Sequence, residues 1–252
     1  MTTITTSENK KIYFASDQHL GAPTAAASLP REKKIVAWLD MIKEDAEAIF
    51  LLGDLFDFWF EYKTVVPKGF VRVLGKLAEL KDAGITIYFF VGNHDLWMRD
   101  YFQKELNIPV FHESQEFELN GKLFLIGHGD GLGPGDIGYK RMKKVFTFPF
   151  FKWLFRWLHP DLGVRLGQYI SVKNKLISGD DDAKFLGEEN EWLVQYCKRK
   201  LEEKYYDYFV FGHRHLPLEI DLDNKSKYIN LGDWIQYFTY GEFMKTFKLK
   251  EF

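Results

Sequence analysis

The stretch Ala48–Phe60 most narrows what this chain can fold into, because an unbroken apolar run ends abruptly at a carboxylate. Residues 48–52 show no alternation of apolar and polar side chains, which is typical of a strand buried on both faces. Gly53 and Asp54 follow immediately. In α/β sheets, sites form beyond the carboxyl ends of the strands, so Asp54 is predicted to lie in a functional site.

Four further segments repeat this arrangement of an apolar strand that leads into a polar turn. The predicted strands are Lys11–Ala15, Thr86–Val91, Leu123–Ile126 and Tyr208–Phe211. Their turns are Ser16-Asp17-Gln18-His19, Gly92-Asn93-His94-Asp95, Gly127-His128-Gly129-Asp130 and Gly212-His213-Arg214-His215. We expect the five turns to meet on one rim, with Asp54 at its centre.

The segments between the strands indicate an α/β sandwich of mixed sheets. Helices are predicted from Pro30 to about Asp45, over Lys68–Asp82, Leu96–Leu106 and Glu191–Lys204, and a loop over Leu20–Leu29. Asn120-Gly121 predicts the turn of a hairpin over Glu116–Ile126, and the last strands are predicted at Tyr228–Leu231 and Phe243–Leu249. Met1–Asn9 is predicted to be a frayed leader.

Composition excludes several classes of protein. The single cysteine, Cys197, excludes an internal disulfide and fits a reducing compartment. The formal net charge of -2 argues against a protein built to coat nucleic acid. Met1–Lys11 lacks the apolar core of a secretory signal, and no apolar run is long enough to predict a membrane span. The 24 Phe, 13 Tyr and 7 Trp residues suggest an apolar ligand.

Residues 139–175 interrupt the alternation of strands and helices. They hold nine Lys and Arg residues against one acid, Asp161, together with seven Phe and Trp residues between Phe146 and Trp157. Lys152 and Arg156 share one helical stripe because they are four residues apart. We predict an inserted helical cap over 139–175, within a sandwich formed by 10–138 and 176–252. The alternative is an insertion whose aromatic side chains only pack on the sandwich.

Five of the seven histidines lie in the strand-end turns. One such histidine is usually a hydrogen-bonding residue, but five of them beside three Asp and Asn residues, without matching basic partners, call for cations. The ligand count predicts two metals, and the residue types suit Mn, Fe or Zn. One ion is assigned to Asp17, His19 and His215, the other to Asn93, His128 and His213, with Asp54 bridging them. Two ions about 3.5–4 Å apart would hold a phosphoryl oxygen and activate a shared water.

Several neighbours of these ligands have predicted supporting roles. His94 is expected to face the phosphate, where it would stabilise the developing charge or protonate the leaving oxygen. Asp95 either orients His94 or caps the following helix. Asp57 and Asp130 are each either hydrogen-bond partners of a ligand histidine or plain turn residues.

The ordered turns resemble the motif set of the calcineurin-like metallophosphoesterases. The matching motifs are Asp17-x-His19, Gly53-Asp54-x-x-Asp57, Gly92-Asn93-His94-Asp95, Gly127-His128 and Gly212-His213-x-His215. The resemblance extends over about residues 11–233. It implies a four-layer αββα sandwich of mixed sheets and a dinuclear metal site with the ligands assigned above.

A narrower resemblance links the chain to the UDP-2,3-diacylglucosamine hydrolases of lipid A synthesis. It is carried by Gly-Asp-Leu-Phe-Asp-Phe-Trp at 53–59, His-Gly-Asp-Gly-Leu at 128–132, and Asp136 and Tyr139 before a basic, aromatic cap. It implies manganese-dependent cleavage of a lipid-nucleotide pyrophosphate into UMP and 2,3-diacylglucosamine 1-phosphate, on the cytoplasmic face of the inner membrane of a Gram-negative bacterium. It also implies that Trp59, Asp136, Tyr139, Ser171, and Lys173 or Lys175 bind the glucosamine phosphate and its surroundings.

The cap fits such a substrate, because an acyl-lipid pyrophosphate needs apolar surface for its chains and cations for its phosphates. Phe150, Trp153 and Trp157 are therefore predicted to contact the lipid. His94 is a departure, since many of these hydrolases have Arg there, and it keeps open a soluble phosphodiesterase or nucleotide phosphatase. A metal-binding module without catalysis and a nucleic-acid phosphoesterase are further alternatives, and the net charge of -2 disfavours the latter.

Overall fold

The computed structural model describes residues 1–133, 137–178, 184–185, 187–222 and 225–252, without the side chains of 172–178. Its strands are β1 Thr2–Ile4, β2 Lys11–Ala15, β3 Ala46–Leu52, β4 Thr86–Phe90, β5 Val110–Phe111, β6 Gln115–Leu119, β7 Lys122–Ile126, β8 Tyr208–Phe211, β9 Pro217–Asp221, β10 Lys227–Leu231, β11 Thr239–Phe243 and β12 Phe247–Glu251. Its helices are α1 Ala25–Ile42, α2 Val71–Asp82, α3 Tyr101–Glu105, α4 Ile137–Thr147, α5 Pro149–Arg156, α6 Pro160–Ser178 and α7 Trp192–Glu203.

The strands form two mixed sheets of six strands each. Sheet I has the order β12-β11-β2-β3-β4-β5, and sheet II has the order β1-β6-β7-β8-β10-β9. Strands β2 to β5 run parallel in sheet I, and β7, β8 and β10 run parallel in sheet II. The five strands predicted to carry the site are therefore divided between two sheets, and within each sheet their carboxyl ends reach the same edge.

Alternating side chains show that the two sheets are stacked and covered by helices. In β3, Ile49 and Leu51 belong to a core that includes Trp38 of α1 and Leu77 of α2. Phe50, between them in the chain, belongs instead to the core shared by the two sheets. In β8, Phe209 and Phe211 pack with Val194 and Cys197 of α7, whereas Val210 faces sheet I. These layers confirm the predicted αββα sandwich.

Helices α4, α5 and α6 form the cap and follow β7 in the chain. Their bounds extend the predicted cap by two or three residues at each end. Helix α6 packs closely on the segment after β3, since a side chain at Gly163 would overlap Tyr62 and one at Gly167 would overlap Phe58. From the other cap helices, the rings of Phe146 and Phe155 lie 5.8 and 4.6 Å from that of Trp97.

Two predicted element bounds are wrong near the amino terminus. The stretch 1–9 is not frayed throughout, because β1 pairs in parallel with β6. Helix α1 begins at Ala25 and contains Pro30, so the second half of the predicted loop is helical. The Thr24 side chain accepts a hydrogen bond from the Ala27 N–H, and this cap starts the helix before the proline.

Two later elements also differ from the prediction. The predicted strand Phe243–Leu249 is centred on a turn, because β11 and β12 form an antiparallel hairpin around residues 244–246. The predicted helix Leu96–Leu106 is too long, because the structure has only the shorter helix α3 in this stretch. The buried Glu61 carboxylate accepts the N–H groups of Arg99, Asp100 and Tyr101, so the backbone before α3 bonds to a side chain rather than to an earlier helical turn.

Among the described residues, none of the helices combines the length and the apolar character that crossing a membrane requires.

Candidate metal centre

The backbone at the strand ends is unusual at the predicted ligands. Five of them have left-handed φ angles: Asp17 at 58°, His19 at 44°, Asp54 at 53°, His213 at 65° and His215 at 54°. This conformation costs an L-residue about 1–2 kcal/mol. Such residues concentrate at functional sites, where the surrounding structure holds them in place. These left-handed residues therefore lie in the same turns that the sequence predicts to form the site.

Glycines let these turns approach one another closely. A Cβ at Gly92 would overlap the Asp54 carboxylate, and one at Gly212 would overlap the Asp17 carboxylate. Gly53 has a φ of 88°, and a Cβ there would lie 2.6 Å from Nδ1 of His128. The side chains of sheets I and II can converge only because these positions carry no side chain.

One group of converging side chains consists of Asp17, His19, Asp54 and His215. Each offers a ligand atom, and the four atoms lie within 4.8 Å of one another. Nε2 of His215 is 3.1 Å from Nε2 of His19 and 3.2 Å from Oδ1 of Asp17. Nε2 of His19 is 3.6 Å from Oδ2 of Asp54. The structure thus brings together the residues predicted for the first metal.

A second group surrounds His128 and shares Asp54 with the first. Nε2 of His128 lies 3.2 Å from Oδ1 of Asn93 and 3.4 Å from Oδ2 of Asp54. The ring centroid of His213 is 5.1 Å from that of His128. Asp54 therefore lies between the two groups, as a bridging carboxylate requires.

Two carboxylate oxygens in these groups suit a cation. Oδ1 of Asp17 and Oδ2 of Asp54 are buried and have no hydrogen-bond partner within the described residues. Leaving a buried carboxylate oxygen unsatisfied costs free energy unless a positive charge compensates it. Carboxylate oxygens combined with imidazole nitrogens are ligands of Mn, Fe and Zn. The side chains present therefore fit divalent metals.

The Nδ1 atoms of the candidate ligand histidines lie beside hydrogen-bond acceptors. Nδ1 of His128 lies 2.7 Å from the Leu52 carbonyl oxygen, and Nδ1 of His19 lies 3.3 Å from Oδ1 of Asp57. Nδ1 of His215 is 3.5 Å from Oδ2 of Asp233. A protonated Nδ1 leaves Nε2 as the metal-binding atom, and such partners fix the ring orientation. The structure therefore gives Asp57 the first of its two predicted roles.

Asp233 was missed by the sequence reasoning. It follows β10 and Gly232, so it repeats the strand-Gly-Asp pattern of Gly53 and Asp54. That signal was available in the sequence, and it would have added a residue that supports a ligand histidine.

The electrostatics of the centre favour bound positive charge. Burial alone would raise the pKa of Asp54, but the neighbouring His128, His94 and His19 outweigh it and lower the pKa. Burial alone would lower the pKa of His128, but Asp54 raises it to about 10. Burial and the charge of His128 lower the pKa of His213 to about 4, so this ring is neutral and can ligate. The carboxylates thus stabilise positive charge in this part of the centre.

A comparison with protein families decides what this centre belongs to. The family model described as "Calcineurin-like phosphoesterase" matches residues 10–217. The chain belongs to this family. The match includes every predicted metal ligand.

The most similar curated relatives share one name, "UDP-2,3-diacylglucosamine hydrolase". The protein from Porphyromonas gingivalis is 41% identical over 244 residues, which is 91% of this chain and 92% of the relative. The protein from Actinobacillus succinogenes is 27% identical over 89% of this chain and 92% of its own length. A Shewanella protein is 27% identical over 88% of each chain.

Within the calcineurin-like centre, His94 is held by the turn and by the cap. The backbone N–H of His94 donates a hydrogen bond to Oδ1 of Asp54 at 2.8 Å. Its Nδ1 lies 2.7 Å from Oγ of Ser171 and 3.0 Å from the Asp57 carbonyl oxygen. Ser171 Oγ also lies 2.7 Å from Oδ2 of Asp57. With Nδ1 engaged, Nε2 is the ring nitrogen that can meet a phosphate.

Asp95 and Asp130 have roles that differ from orienting a histidine. Asp95 accepts the N–H groups of Gly92 at 2.7 Å and Leu55 at 3.0 Å, and so ties two site turns together. Burial raises its pKa to about 8. Asp130 accepts hydrogen bonds from Tyr139 and from Lys143 of the cap. It therefore anchors helix α4 beside the centre.

The remaining predicted substrate residues are placed differently from one another. The Tyr139 ring lies 6.4 Å from that of His213, next to the centre. Trp59 is fully buried and donates to Glu61, so its placement does not support a direct contact with substrate. Phe150, Trp153 and Trp157 are 54%, 51% and 73% exposed on the cap, which differs from the lining of an enclosed chamber. Asp136 and the side chains of Lys173 and Lys175 lie outside the described residues.

Proposed function

We propose that this protein hydrolyses the pyrophosphate bond of UDP-2,3-diacylglucosamine and releases UMP and 2,3-diacylglucosamine 1-phosphate. The observation that carries the proposal is the 41% identity, over 91% of the chain, to the Porphyromonas gingivalis protein of that name. The site supports it, because two groups of potential ligands share Asp54, as a two-metal phosphoryl centre needs.

The proposed cofactors are two divalent cations, with Mn²⁺ assigned ahead of Fe or Zn. Asp17, His19 and His215 would hold one ion, Asn93, His128 and His213 the other, and Asp54 would bridge them. When bound, such ions supply Lewis-acid stabilisation of a phosphoryl oxygen and a water of lowered pKa. The chain's own contribution is to fix the ring orientations through Asp57, Asp233 and Leu52.

His94 is the proposed catalytic side chain beside the metals. Its main chain is tied to Asp54, and its Nδ1 is held by Ser171 and Asp57. This arrangement supports a role for Nε2 in stabilising charge on the reacting phosphate or in protonating the leaving oxygen. Because Asp54 both touches His94 and would bridge the ions, a change at either residue is expected to affect the reaction.

The cap, residues 139–175, is proposed to bind the lipid and to contact the membrane surface. Phe146 and Phe155 pack inward on Trp97, whereas Phe150, Trp153 and Trp157 are exposed on α5. Each CH₂ group that moves into an apolar phase contributes about 0.8 kcal/mol, and each basic residue near an anionic surface about 1 kcal/mol. These features support peripheral association with the cytoplasmic face of the inner membrane of a Gram-negative bacterium.

Some glucosamine phosphate contacts remain proposals that rest on the resemblance alone. They involve Asp136, Lys173 and Lys175. Tyr139 and Ser171 lie beside the centre and support such a subsite, although both also bond to residues of the sandwich.

A substrate comparison tests the proposal. The Mn²⁺-loaded protein is assayed with UDP-2,3-diacylglucosamine in detergent micelles, where UMP release is followed by chromatography. It is also assayed with bis-p-nitrophenyl phosphate, where the release of p-nitrophenol is followed by absorbance. We expect a kcat/KM for the lipid nucleotide at least about 10³-fold higher, since two acyl chains add many buried CH₂ groups. Comparable or lower efficiency on the lipid nucleotide would contradict the proposal.

A second candidate function is a soluble phosphodiesterase or nucleotide phosphatase of the same family. His94 favours it, because many of the lipid hydrolases that the chain resembles have Arg at this position. Adding UDP and UDP-N-acetylglucosamine to the assay separates the candidates. Efficient turnover of these soluble nucleotides without preference for the acylated substrate would support the second.

A further inference from the structure

A cavity of about 580 Å³ lies beside the metal centre and is not used by the assignments above. His128 and Asp130 form its wall toward the centre, and Phe111 and Ser114 line it near the end of β5. Helix α4 lines a further side, and His112, Glu113 and Tyr196 also line the cavity. Ligand pockets for small molecules have volumes of about 300–1,000 Å³, so the cavity is large enough for a nucleotide.

One face of α4 gives this cavity positive charge. Lys140, Lys143, Lys144 and Thr147 line it, and their spacing of three and four residues places them on one side of a helix. Lys143 pairs with Asp130 at 2.5 Å, and Lys140 donates to the Gly133 carbonyl oxygen. No ion pair or hydrogen bond is found for the Lys144 ammonium group in the described part of the chain. The three ammonium groups exceed the two carboxylates that line the cavity, those of Glu113 and Asp130, and Lys144 is the one without a hydrogen-bond or carboxylate partner among the described residues, so this side suits an anion.

The aromatic contacts of α4 lie on another side of the helix, away from the cavity. The Phe146 carbonyl oxygen accepts the Trp97 indole N–H at 2.7 Å, and the Phe146 ring packs on Trp97. Neither residue lines the cavity, whose α4 wall is polar. Helix α4 therefore separates an aromatic side from a cationic side. A lipid-nucleotide pyrophosphate has the same division, with an apolar half and a polar, anionic half.

We propose that this cavity binds the nucleoside monophosphate half of the substrate, so that the pyrophosphate crosses the metal centre beside His128. The inference rests on the proposed function and deepens it, because it assigns the nucleotide half of the substrate to a place in the fold. The lysine face of α4 holds the phosphate. Phe111 provides a partly exposed ring for the base, and Ser114 provides a hydroxyl group for hydrogen bonding.

Binding of UMP to the Mn²⁺-loaded protein tests this assignment by calorimetry, with UMP inhibition of lipid-nucleotide hydrolysis as the functional readout. Lys144→Ala removes one ammonium group, and Thr147→Trp fills the cavity. Arg141→Ala is the matched control, because Arg141 is an exposed cation of the same helix that does not line the cavity. Metal content and circular dichroism establish that each variant is folded and loaded.

We expect Lys144→Ala to raise the Kd of UMP about tenfold and Thr147→Trp to raise it more, with Arg141→Ala within about twofold of the wild type. The Kd of 2,3-diacylglucosamine 1-phosphate should stay within about twofold in all three variants, and uridine should bind more weakly than UMP. This pattern would distinguish a nucleotide subsite from a general effect on the cap.

Three outcomes would overturn the inference: unchanged UMP affinity in both cavity variants, equal losses for both products, or inorganic phosphate binding as tightly as UMP. The failure of the proposed function is separately visible. It would appear as absent hydrolysis of UDP-2,3-diacylglucosamine by the wild type, which is measured before any variant.

Discussion

Oγ of Ser171, on cap helix α6, lies 2.7 Å from Nδ1 of His94 in the turn after β4. The same hydroxyl group donates to the Asp57 carboxylate, whose other oxygen faces His19. One cap residue therefore contacts both the proposed catalytic histidine and the support of a proposed metal ligand. The cap is thus linked by hydrogen bonds to the candidate metal centre.

Replacement of His94 by Ala should lower turnover by about 10²–10⁴-fold, because a positioned acid or charge-stabilising group is lost. Metal content should hardly change, since the predicted ligands remain, and it is measured by mass spectrometry. His159→Ala, an exposed histidine of the cap, is the control. Near-normal activity of the His94→Ala variant would show that His94 has no part in catalysis and serves only in the turn. Activity retained by His94→Arg would support the lipid hydrolases, in which Arg is frequent.

Replacement of Ser171 by Ala should lower kcat about tenfold, which corresponds to one lost hydrogen bond of about 1.4 kcal/mol. KM should change less, because the hydroxyl group acts through His94. In a His94→Ala background the same change should cost less than about twofold, since the partner is already absent. Equal losses in both backgrounds, or a loss confined to KM, would instead make Ser171 a direct substrate contact.

Replacement of Asp54 by Ala should abolish turnover while the fold survives. The carboxylate adjoins both ligand groups, and its Oδ2 has no hydrogen-bond partner in the described structure. Its loss should therefore remove metal rather than packing contacts. Bound metal, circular dichroism and turnover are compared with those of Asp82→Ala, an exposed carboxylate of α2. One ion or none per active wild-type chain would contradict the dinuclear assignment.

The sequence predicted the site-bearing strands well because their signals are local. Each is a continuous apolar run that ends in Gly, Asp, Asn or His, and burial between layers requires that pattern. Strand β1 was missed because its pairing with β6 is a long-range contact that leaves little local trace. The β11–β12 turn was missed because Met244, Lys245 and Thr246 include no Gly, Pro or Asn.

The convergence of the candidate metal ligands could be predicted because their residue types repeat at equivalent strand ends. Ser171 shows what sequence alone does not give. It lies 77 residues from His94 and 114 from Asp57, so only the packing of α6 brings the three together. The resemblance placed Ser171 at the substrate, whereas the structure gives it two partners within the protein. Asp233, in contrast, carried a readable signal that was overlooked.

Replacement of Gly167 by Ala should loosen the cap, because the added Cβ would overlap the Phe58 ring. Displacement of α6 would move Ser171 away from His94, so turnover should fall about as much as in Ser171→Ala. Gly138→Ala is the control, since a Cβ there meets nothing within 4 Å and Ala favours a helix by about 0.5–1 kcal/mol. Equal activity in the two glycine variants would show that α6 does not position the site.

Simultaneous replacement of Phe150, Trp153 and Trp157 by Ser tests what the exposed aromatic residues of α5 do. Because all three are at least half exposed, we expect them to insert into a membrane surface rather than to line a chamber. Activity on substrate in phosphatidylglycerol vesicles should fall about 10²-fold or more, as several buried aromatic contacts are lost. Activity in detergent micelles and on bis-p-nitrophenyl phosphate should persist.

The control for the triple replacement in α5 changes Met41, Val71 and Met244, which are exposed apolar residues outside the cap. A loss that persists in micelles would show that these residues bind the acyl chains inside the protein. An equal loss on both substrates would show that the cap is a structural element. Unchanged activity on both substrates would favour a soluble phosphodiester as the substrate.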